Sequence, residues 1–308
     1  MNCSIIASVY NEEAGIKMFY EKTSSVLESL SIDYEIIFVN DGSKDRSLQI
    51  LENIAQSDKH VKIISFSRNF GHESAMIAGI DNSLGNTVIC MDSDLQHSPE
   101  LIPEMLKKQA EGFDIINMVR TLRKDAGFFS RLNSKLFYKF LNSISSIKLE
   151  ENASDFFLIS KNVADILKTD FRERTRFLRG LIQLVGFNKT TIQYTAPKRV
   201  AGKSHYSFVK LLKLSITAVS SFSKVPLQLG IICGLFFVIF SLIVLIFSVI
   251  MWLLGDPFSG YTTLIVFLSL FAGIQMFVIG IIGQYLSFMF DELKQRPIYI
   301  VEKKINFQ

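Results

Sequence analysis

From residue 4 to about residue 120 the chain alternates two textures: short β-branched apolar runs, and longer stretches whose apolar positions recur every three or four residues. Residues 4–9 (Ser-Ile-Ile-Ala-Ser-Val) read as a strand that ends at Tyr10-Asn11-Glu12-Glu13, with a helix from there to about Leu30. Residues 35–39 are a second strand, followed by Asn40-Asp41-Gly42-Ser43-Lys44-Asp45. Asp45 or Ser43 can cap the next helix, whose Leu48, Leu51 and Ile54 share one face. Residues 61–66 and 87–91 are the third and fourth strands, a helix through 74–83 lies between them, and residues 114–119 form a fifth strand. Repeated strand–helix units predict an α/β fold with a mostly parallel sheet and ligands at the carboxyl ends of its strands. The polar clusters after the first, second and fourth strands fall on that edge.

The texture changes in the last third. Residues 227–254 carry no charge, and neither do residues 257–290. Each run exceeds the roughly 20 residues that cross hydrocarbon as a helix. Gly255-Asp256-Pro257 and Ser259-Gly260 make a short turn between them, so the pair reads as a transmembrane hairpin. Core helices of soluble proteins rarely stay apolar on every face for so long. Arg199, Lys203, Lys210, Lys213 and Lys224 precede the hairpin; Lys294, Arg296, Lys303 and Lys304 follow it, and the turn has no Lys or Arg. This asymmetry predicts a multi-pass protein of the cytoplasmic membrane with both termini inside the cell. Met1-Asn2-Cys3 leads straight into a strand, so no cleaved leader is expected. Two aromatic-rich amphipathic segments, near 127–141 and at 207–225, are expected to lie along the membrane surface. The resulting division is a cytoplasmic catalytic domain at 1–206, a juxtamembrane helix at 207–225, two transmembrane helices within 226–290 and a cytoplasmic tail at 291–308.

Composition agrees with that division. The chain is 49% hydrophobic, with mean hydropathy +0.30, a formal charge of +4 and a pI near 8.8. With a membrane segment present, that basicity points to anionic lipid rather than nucleic acid. Cys3, Cys90 and Cys233 have neither metal-site spacing nor the density of a disulfide framework.

Candidate chemistry begins at Asp92-Ser93-Asp94, directly behind the fourth strand. Two carboxylates there can hold one hard cation, Mg²⁺ or Mn²⁺, and through it a diphosphate. His97 is expected to make a local hydrogen bond instead of ligating metal. Asp41 can accept from a base or ribose, or close an Asx turn, while Gly42 permits a tight turn. Glu13 can approach a nucleotide; Arg68 can do the same or form a structural ion pair. Arg174, Arg176 and Arg179 cannot all share one helix face, but Arg176 and Arg179, three apart, can form a phosphate-binding one. In Arg199-Val200-Ala201-Gly202-Lys203-Ser204-His205-Tyr206 the donors can close over a diphosphate, grip a lipid phosphate, or remain a solvated charge run. Absence of Gly-x-Gly-x-x-Gly after the first strand, and of Gly-x-x-x-x-Gly-Lys-Ser/Thr, argues against dinucleotide and P-loop enzymes.

The runs Val-Asn-Asp-Gly-Ser-Lys-Asp at 39–45, Ser-Arg-Asn-Phe-Gly-His-Glu at 67–73, Met-Asp-Ser-Asp-Leu-Gln-His at 91–97, Arg-Phe-Leu-Arg-Gly at 176–180 and Arg-Val-Ala-Gly-Lys-Ser at 199–204 resemble those of polyprenyl-phosphate glycosyltransferases. These are members of glycosyltransferase family 2 and include bactoprenol glucosyltransferases and dolichyl-phosphate mannose synthases. The resemblance covers nearly the whole chain and implies a GT-A fold. It also implies inverting, metal-dependent transfer of a hexose from a nucleoside-diphosphate sugar to polyprenyl (undecaprenyl) phosphate, without a covalent enzyme intermediate. UDP-glucose is the donor the motif set favours, with UDP-galactose, a UDP-N-acetylhexosamine and GDP-mannose as alternatives. Carried over by position, Asp94 is the main metal ligand and Asp92 supports it. Asp41 contacts the nucleotide, Asp155 lies near the reacting centre, and Arg176, Arg199 and Ser204 bind phosphate. Lys203, Arg179 and His205 are the remaining candidate donors. Relatives often have Asp-Phe-Arg-Leu where this chain has Asp155-Phe156-Phe157-Leu158, and Ser-Lys-Tyr where it has Ser204-His205-Tyr206. The family further implies a homo-oligomer, with a tetramer as one form. Two rival readings are a processive polysaccharide synthase, which typically needs more spans and a Gln-x-x-Arg-Trp motif, and a non-catalytic scaffold or lipid-translocation subunit.

Overall fold

A computed structural model of the chain describes residues 2–121, 153–174, 177–195, 223–254 and 260–307. Strands β1 (Cys3–Val9), β2 (Tyr34–Asn40), β3 (Val61–Phe66) and β4 (Thr87–Asp92) form its parallel centre, with β1 between β2 and β4 and β3 outside β2. β1 and β2 are buried along almost their whole length, as parallel strands covered on both faces must be. Helices α1 (Ile16–Ser29), α2 (Ser47–Ser57) and α4 (Ile102–Ala110) cover one face, where Phe19, Leu51 and Met105 pack on Ile5, Phe38 and Met91. Helices α3 (His72–Asn82), α5 (Lys161–Thr169) and α6 (Leu178–Leu184) cover the other, where Met76, Val163 and Leu181 pack on Ile6, Val88 and Cys90. α3 lies so close to β1 that a Cβ on Gly79 would fall 2.2 Å from Ile6 Cγ2.

The sheet is mixed, more so than repeated strand–helix units imply. β6 (Ala153–Ser160) runs antiparallel between β4 and β5 (Ile115–Arg120), and β7 (Lys189–Tyr194) lies parallel to β5. β8 (Val301–Ile305) pairs antiparallel with β3, giving the order β7-β5-β6-β4-β1-β2-β3-β8. Among the described residues, four of the seven pairings are parallel and three antiparallel. The segment after the second apolar run, expected as a tail, thus completes the sheet. Tyr299 stacks on Phe66 with ring centroids 5.1 Å apart and donates to Asp81 Oδ2 at 2.7 Å. Asn306 Nδ2 donates to the carbonyls of Ala55 and Val61, and Lys303 pairs with Glu52.

Helices α7 (Val225–Leu253) and α8 (Tyr261–Leu293) form the apolar hairpin. They meet through Phe237 and Phe271, 4.7 Å apart, and through Phe240 and Phe267, 5.8 Å apart. Their apolar cores, Val225–Met251 and Leu264–Leu293, are 27 and 30 residues long and turn no buried side toward the rest of the protein. At 1.5 Å per residue each is about 40 Å long, more than the roughly 30 Å of a hydrocarbon core. Glu292, at the end of α8, accepts from Arg174 N at 2.8 Å, and Tyr285 donates to the Ser223 carbonyl at 2.7 Å. The amphipathic segment near 127–141 lies outside the described residues, as does 207–225 except for its last three positions.

Candidate active site

Ser8 in β1 is the register partner of Asp92 in β4. β4 and β6 pair Cys90 with Phe157, and the same register continued brings Asp92 opposite Asp155. Three strands thus carry Ser8, Asp92 and Asp155 in one row at the sheet's carboxyl edge, on the face covered by α3 and α6. Neither spacing nor periodicity shows this row, because it depends on an antiparallel pairing between segments about sixty residues apart.

Around Asp155 the contacts are dense. Arg179, in the first turn of α6, grips it with two parallel bonds, Nε to Oδ1 at 2.6 Å and Nη2 to Oδ2 at 2.7 Å. Its Nη1 also donates to the Ala153 carbonyl at 2.7 Å. Burial alone would raise the Asp155 pKa, but Arg179 and His72 outweigh it and hold the carboxyl well below the usual range. Asp92 has no such partner. Burial, reinforced by Asp155 and Asp94 against the opposing pull of His72, lifts it to about 6. Glu73, whose carboxyl burial also raises, accepts from Leu178 N at 2.9 Å and so fixes the start of α6, from which Arg179 projects.

The turn after β4 is built to keep Asp94 at its rim. Asp94 Oδ1 accepts from Gln96 N at 3.0 Å, and Leu95 is buried in a left-handed conformation at φ 62°. A leucine pays for that backbone with local strain, and such strain gathers at functional turns. His97 Nδ1 accepts from Asp92 N at 2.8 Å, and the ring stacks on Phe156 with centroids 5.1 Å apart. Burial first and Arg120 second push its pKa down to about 3, so it stays neutral. It is a local brace, as expected. Arg120 bridges it to Tyr194, with Nη2 3.1 Å from His97 Nε2 and Nε donating to the Tyr194 hydroxyl at 3.0 Å.

The donor set suits a hard divalent cation. Asp92 and Asp94 offer two half-buried carboxylates at the sheet's carboxyl edge, and no cluster of three or more His, Cys, Asp or Glu ligands occurs among the described residues. Mg²⁺ and Mn²⁺ bind in this way, completed by water and substrate phosphate rather than by a protein cage.

The other sequence candidates divide. Asp41 accepts from Phe70 N at 2.6 Å and Gly71 N at 3.0 Å, so both its oxygens bind the loop that leads into α3. Gly42, at φ 66°, lets that loop approach: a Cβ there would fall 2.5 Å from the Arg68 carbonyl carbon. Arg68 is exposed, 4.1 Å from the Phe70 ring centroid. Glu13 accepts from Arg46 N at 3.1 Å, and its own N–H donates to Asp45 at 3.2 Å. Asp45 also accepts from Ser47 N at 3.0 Å in an Asx turn, but the N-cap of α2 is Arg46 and has no side-chain cap, so the capping expected of Asp45 or Ser43 is not made. Arg176, Arg199, Lys203, Ser204 and His205 lie outside the described residues. Two residues of the site, Ser8 and His72, were not singled out from the sequence. His72 lies within the Ser-Arg-Asn-Phe-Gly-His-Glu run at 67–73, where Arg68 alone drew attention.

The chain belongs to glycosyl transferase family 2, which it matches over residues 4–167, and its doubly covered mixed sheet with an acidic carboxyl edge has the GT-A form. It is 39% identical over 306 residues to the uncharacterized glycosyltransferase YkcC of Bacillus subtilis (strain 168), covering 99% of this chain and 94% of that one. It is 37% identical over 304 residues to the bactoprenol glucosyl transferase of Shigella phage SfII, covering 98% of each. Among solved structures, glucosyl-3-phosphoglycerate synthase from Mycobacterium tuberculosis aligns over 71% of this chain and 77% of its own, at 17% identity and a TM-score of 0.47. The protein is a glycosyltransferase.

Proposed function

We propose that this enzyme transfers a hexose, glucose in the first instance, from UDP-glucose to a polyprenyl phosphate at the cytoplasmic face of a membrane. One observation carries the reading: the row Ser8–Asp92–Asp155 belongs to a sheet from which an apolar hairpin departs and to which it returns. Full-length similarity to a bactoprenol glucosyl transferase supports the acceptor class.

In this reading Asp92 and Asp94 hold Mg²⁺ or Mn²⁺. A cation held by these two carboxylates would supply positive charge beside the nucleoside diphosphate. Asp155 faces the anomeric carbon, where positive charge develops in an inverting displacement, and Arg179 keeps it ionised. The nucleophile is a phosphate monoester oxygen, already largely anionic at neutral pH, so it needs less from a general base than a sugar hydroxyl does. Asp155 therefore orients and stabilises instead of removing a proton. Arg176, Arg199, Lys203, Ser204 and His205 are proposed phosphate donors, while Asp41, Glu13 and Arg68 shape the nucleotide side. The active form is proposed to be a homo-oligomer.

Topology follows the same logic. Pairing of β8 with β3 supports a hairpin whose two ends share one side of the bilayer, and the flanking Lys and Arg residues favour the cytoplasmic side. Cysteine placed at Ser259 should react with an impermeant reagent in intact cells, and cysteine at Asn306 only after permeabilisation. Labelling of position 306 from outside would overturn this arrangement.

The functional test is a donor screen with membranes containing the protein and undecaprenyl phosphate, followed by mass identification of the glycolipid. A hexosyl-phosphoryl-polyprenol product is expected. Transfer from no nucleotide sugar to any polyprenyl phosphate would remove the proposal.

A further inference from the structure

His72 opens α3 with its ring over the Ser8–Asp92–Asp155 row. Its Nδ1 lies 2.8 Å from Ser8 Oγ. Its Nε2 lies 3.5 Å from Asp92 Oδ1 and 3.6 Å from Asp155 Oδ2. That nitrogen is shut off from solvent, yet it lacks a hydrogen bond of normal length to either carboxylate. A buried N–H held only at ion-pair distance forgoes a hydrogen bond, at a cost on the order of 1–3 kcal/mol, so its persistence at a site calls for an explanation.

The surroundings leave the ring little freedom. Asp41 pins the Phe70 and Gly71 amides immediately before it, Gly71 turns the chain at φ 98°, and Ser8 holds the far nitrogen. The next residue, Glu73, fastens α6 and hence Arg179. One short segment thus supports the Asp155–Arg179 pair from one side and meets Asp92 from the other. Two neighbouring carboxylates with different tasks would otherwise repel and rotate away from each other.

We propose that His72 is a positioning residue that holds Asp92 and Asp155 at a fixed separation, so that one faces the cation and the other faces the transfer centre. The inference rests on the functional reading above and deepens it. Nearly equal distances to the two carboxylates are what a spacer needs: a shift of a few tenths of an ångström makes a bond to either without releasing the other. A residue that only packs needs neither the symmetric spacing nor the tether through Ser8, whereas a metal ligand is often tethered in the same way, so metal binding must be measured to separate the two roles.

The test uses the full-length protein in nanodiscs, with His72→Ala, His72→Gln and Ser8→Ala. Misplacing a reacting group by about 1 Å can cost about a hundredfold in rate, and His72→Ala is expected to lose kcat on that scale. Its KM for the nucleotide sugar should stay within about threefold of the parent, because donor contacts remain. His72→Gln, whose amide can still donate to a carboxylate, should recover about tenfold of the loss. Ser8→Ala frees the ring without removing it and should lower kcat in the same pattern by a smaller factor. Mn²⁺ binding, followed by electron paramagnetic resonance without substrate, should survive in both His72 variants and vanish in Asp94→Ala. Parent-like kcat in His72→Ala would overturn the inference, as would loss of Mn²⁺ binding as deep as that of Asp94→Ala, which would make His72 a ligand. Equal loss in His72→Ala and His72→Gln would also overturn it. If the parent itself transfers no sugar, the functional reading fails, whereas the Mn²⁺ arm still decides whether His72 is a ligand.

Discussion

Two aspartates in this protein are each held by a forked arginine, Asp155 by Arg179 and Asp81 by Arg172, and their surroundings differ. Arg172 meets Asp81 at 2.7 and 3.1 Å, and the Tyr299 hydroxyl completes the second oxygen at 2.7 Å. Arg172 and Tyr299 between them fill both carboxylate oxygens. Asp155 is equally buried and equally well gripped, but a second carboxylate, a solvent-excluded imidazole nitrogen and an open edge stand beside it. The first cluster is a joint and the second the proposed working site. Ion-pair geometry alone cannot separate them; what does is the unmatched polar capacity left over. Both touch α3, His72 at its start and Asp81 near its end, nine residues or about 14 Å apart.

The largest expected effect lies at the open edge. Asp94→Ala should reduce transfer by about a thousandfold or more, equivalent to several kcal/mol of lost transition-state stabilisation, while membrane insertion is unchanged. Radiolabelled sugar transfer with added Mg²⁺ or Mn²⁺ checks this, and near-parent turnover without metal would remove Asp94 from the site. Asp155→Asn keeps the shape and removes the charge. Turnover per folded molecule should fall about a hundred- to a thousandfold. If it falls less than the matching Asp81→Asn, the contrast between site and joint collapses.

Smaller effects sharpen the contrast. Arg179→Lys keeps the charge and loses the fork, so kcat should drop about tenfold. The same change at Arg172 should leave turnover within about twofold and appear only in thermal denaturation. Tyr299→Phe removes one hydrogen bond from the joint, costing about 1 kcal/mol of stability with kcat preserved. A circular-dichroism melt read beside an initial-rate assay separates the two kinds of outcome.

Much of this arrangement is legible in the chain. The first five strands and the helices between them follow from apolar runs closed by polar turns, and the hairpin follows from two charge-free stretches. β8 does not: three of the five residues of Val301-Glu302-Lys303-Lys304-Ile305 are charged and all three are exposed, as befits an edge strand, and it carries no buried-strand signature. β6 is hidden for the opposite reason, since Phe156-Phe157-Leu158-Ile159 is an uninterrupted apolar run without alternation. At the site, Asp92, Asp94 and Asp155 can be found from their runs. The register that brings Asp92 against Asp155, and the ring that spans them, depend on pairing between distant segments. Asp41 shows the limit from the other side, because its position suits a ligand while both its oxygens hold a loop.

The returning strand has a consequence for how the protein is made. β3 has no outer neighbour until residues 301–305 have been synthesised, after both apolar helices. A nascent chain therefore carries an open sheet edge throughout translocon engagement, and such an edge invites mispairing. In the proposed topology the edge closes only when both ends of the hairpin emerge on the same side. A chain that threads once, or inverts its second helix, leaves β8 across the bilayer from its partner and the catalytic domain unfinished. In the proposed topology the last strand would therefore make a completed sheet conditional on correct insertion.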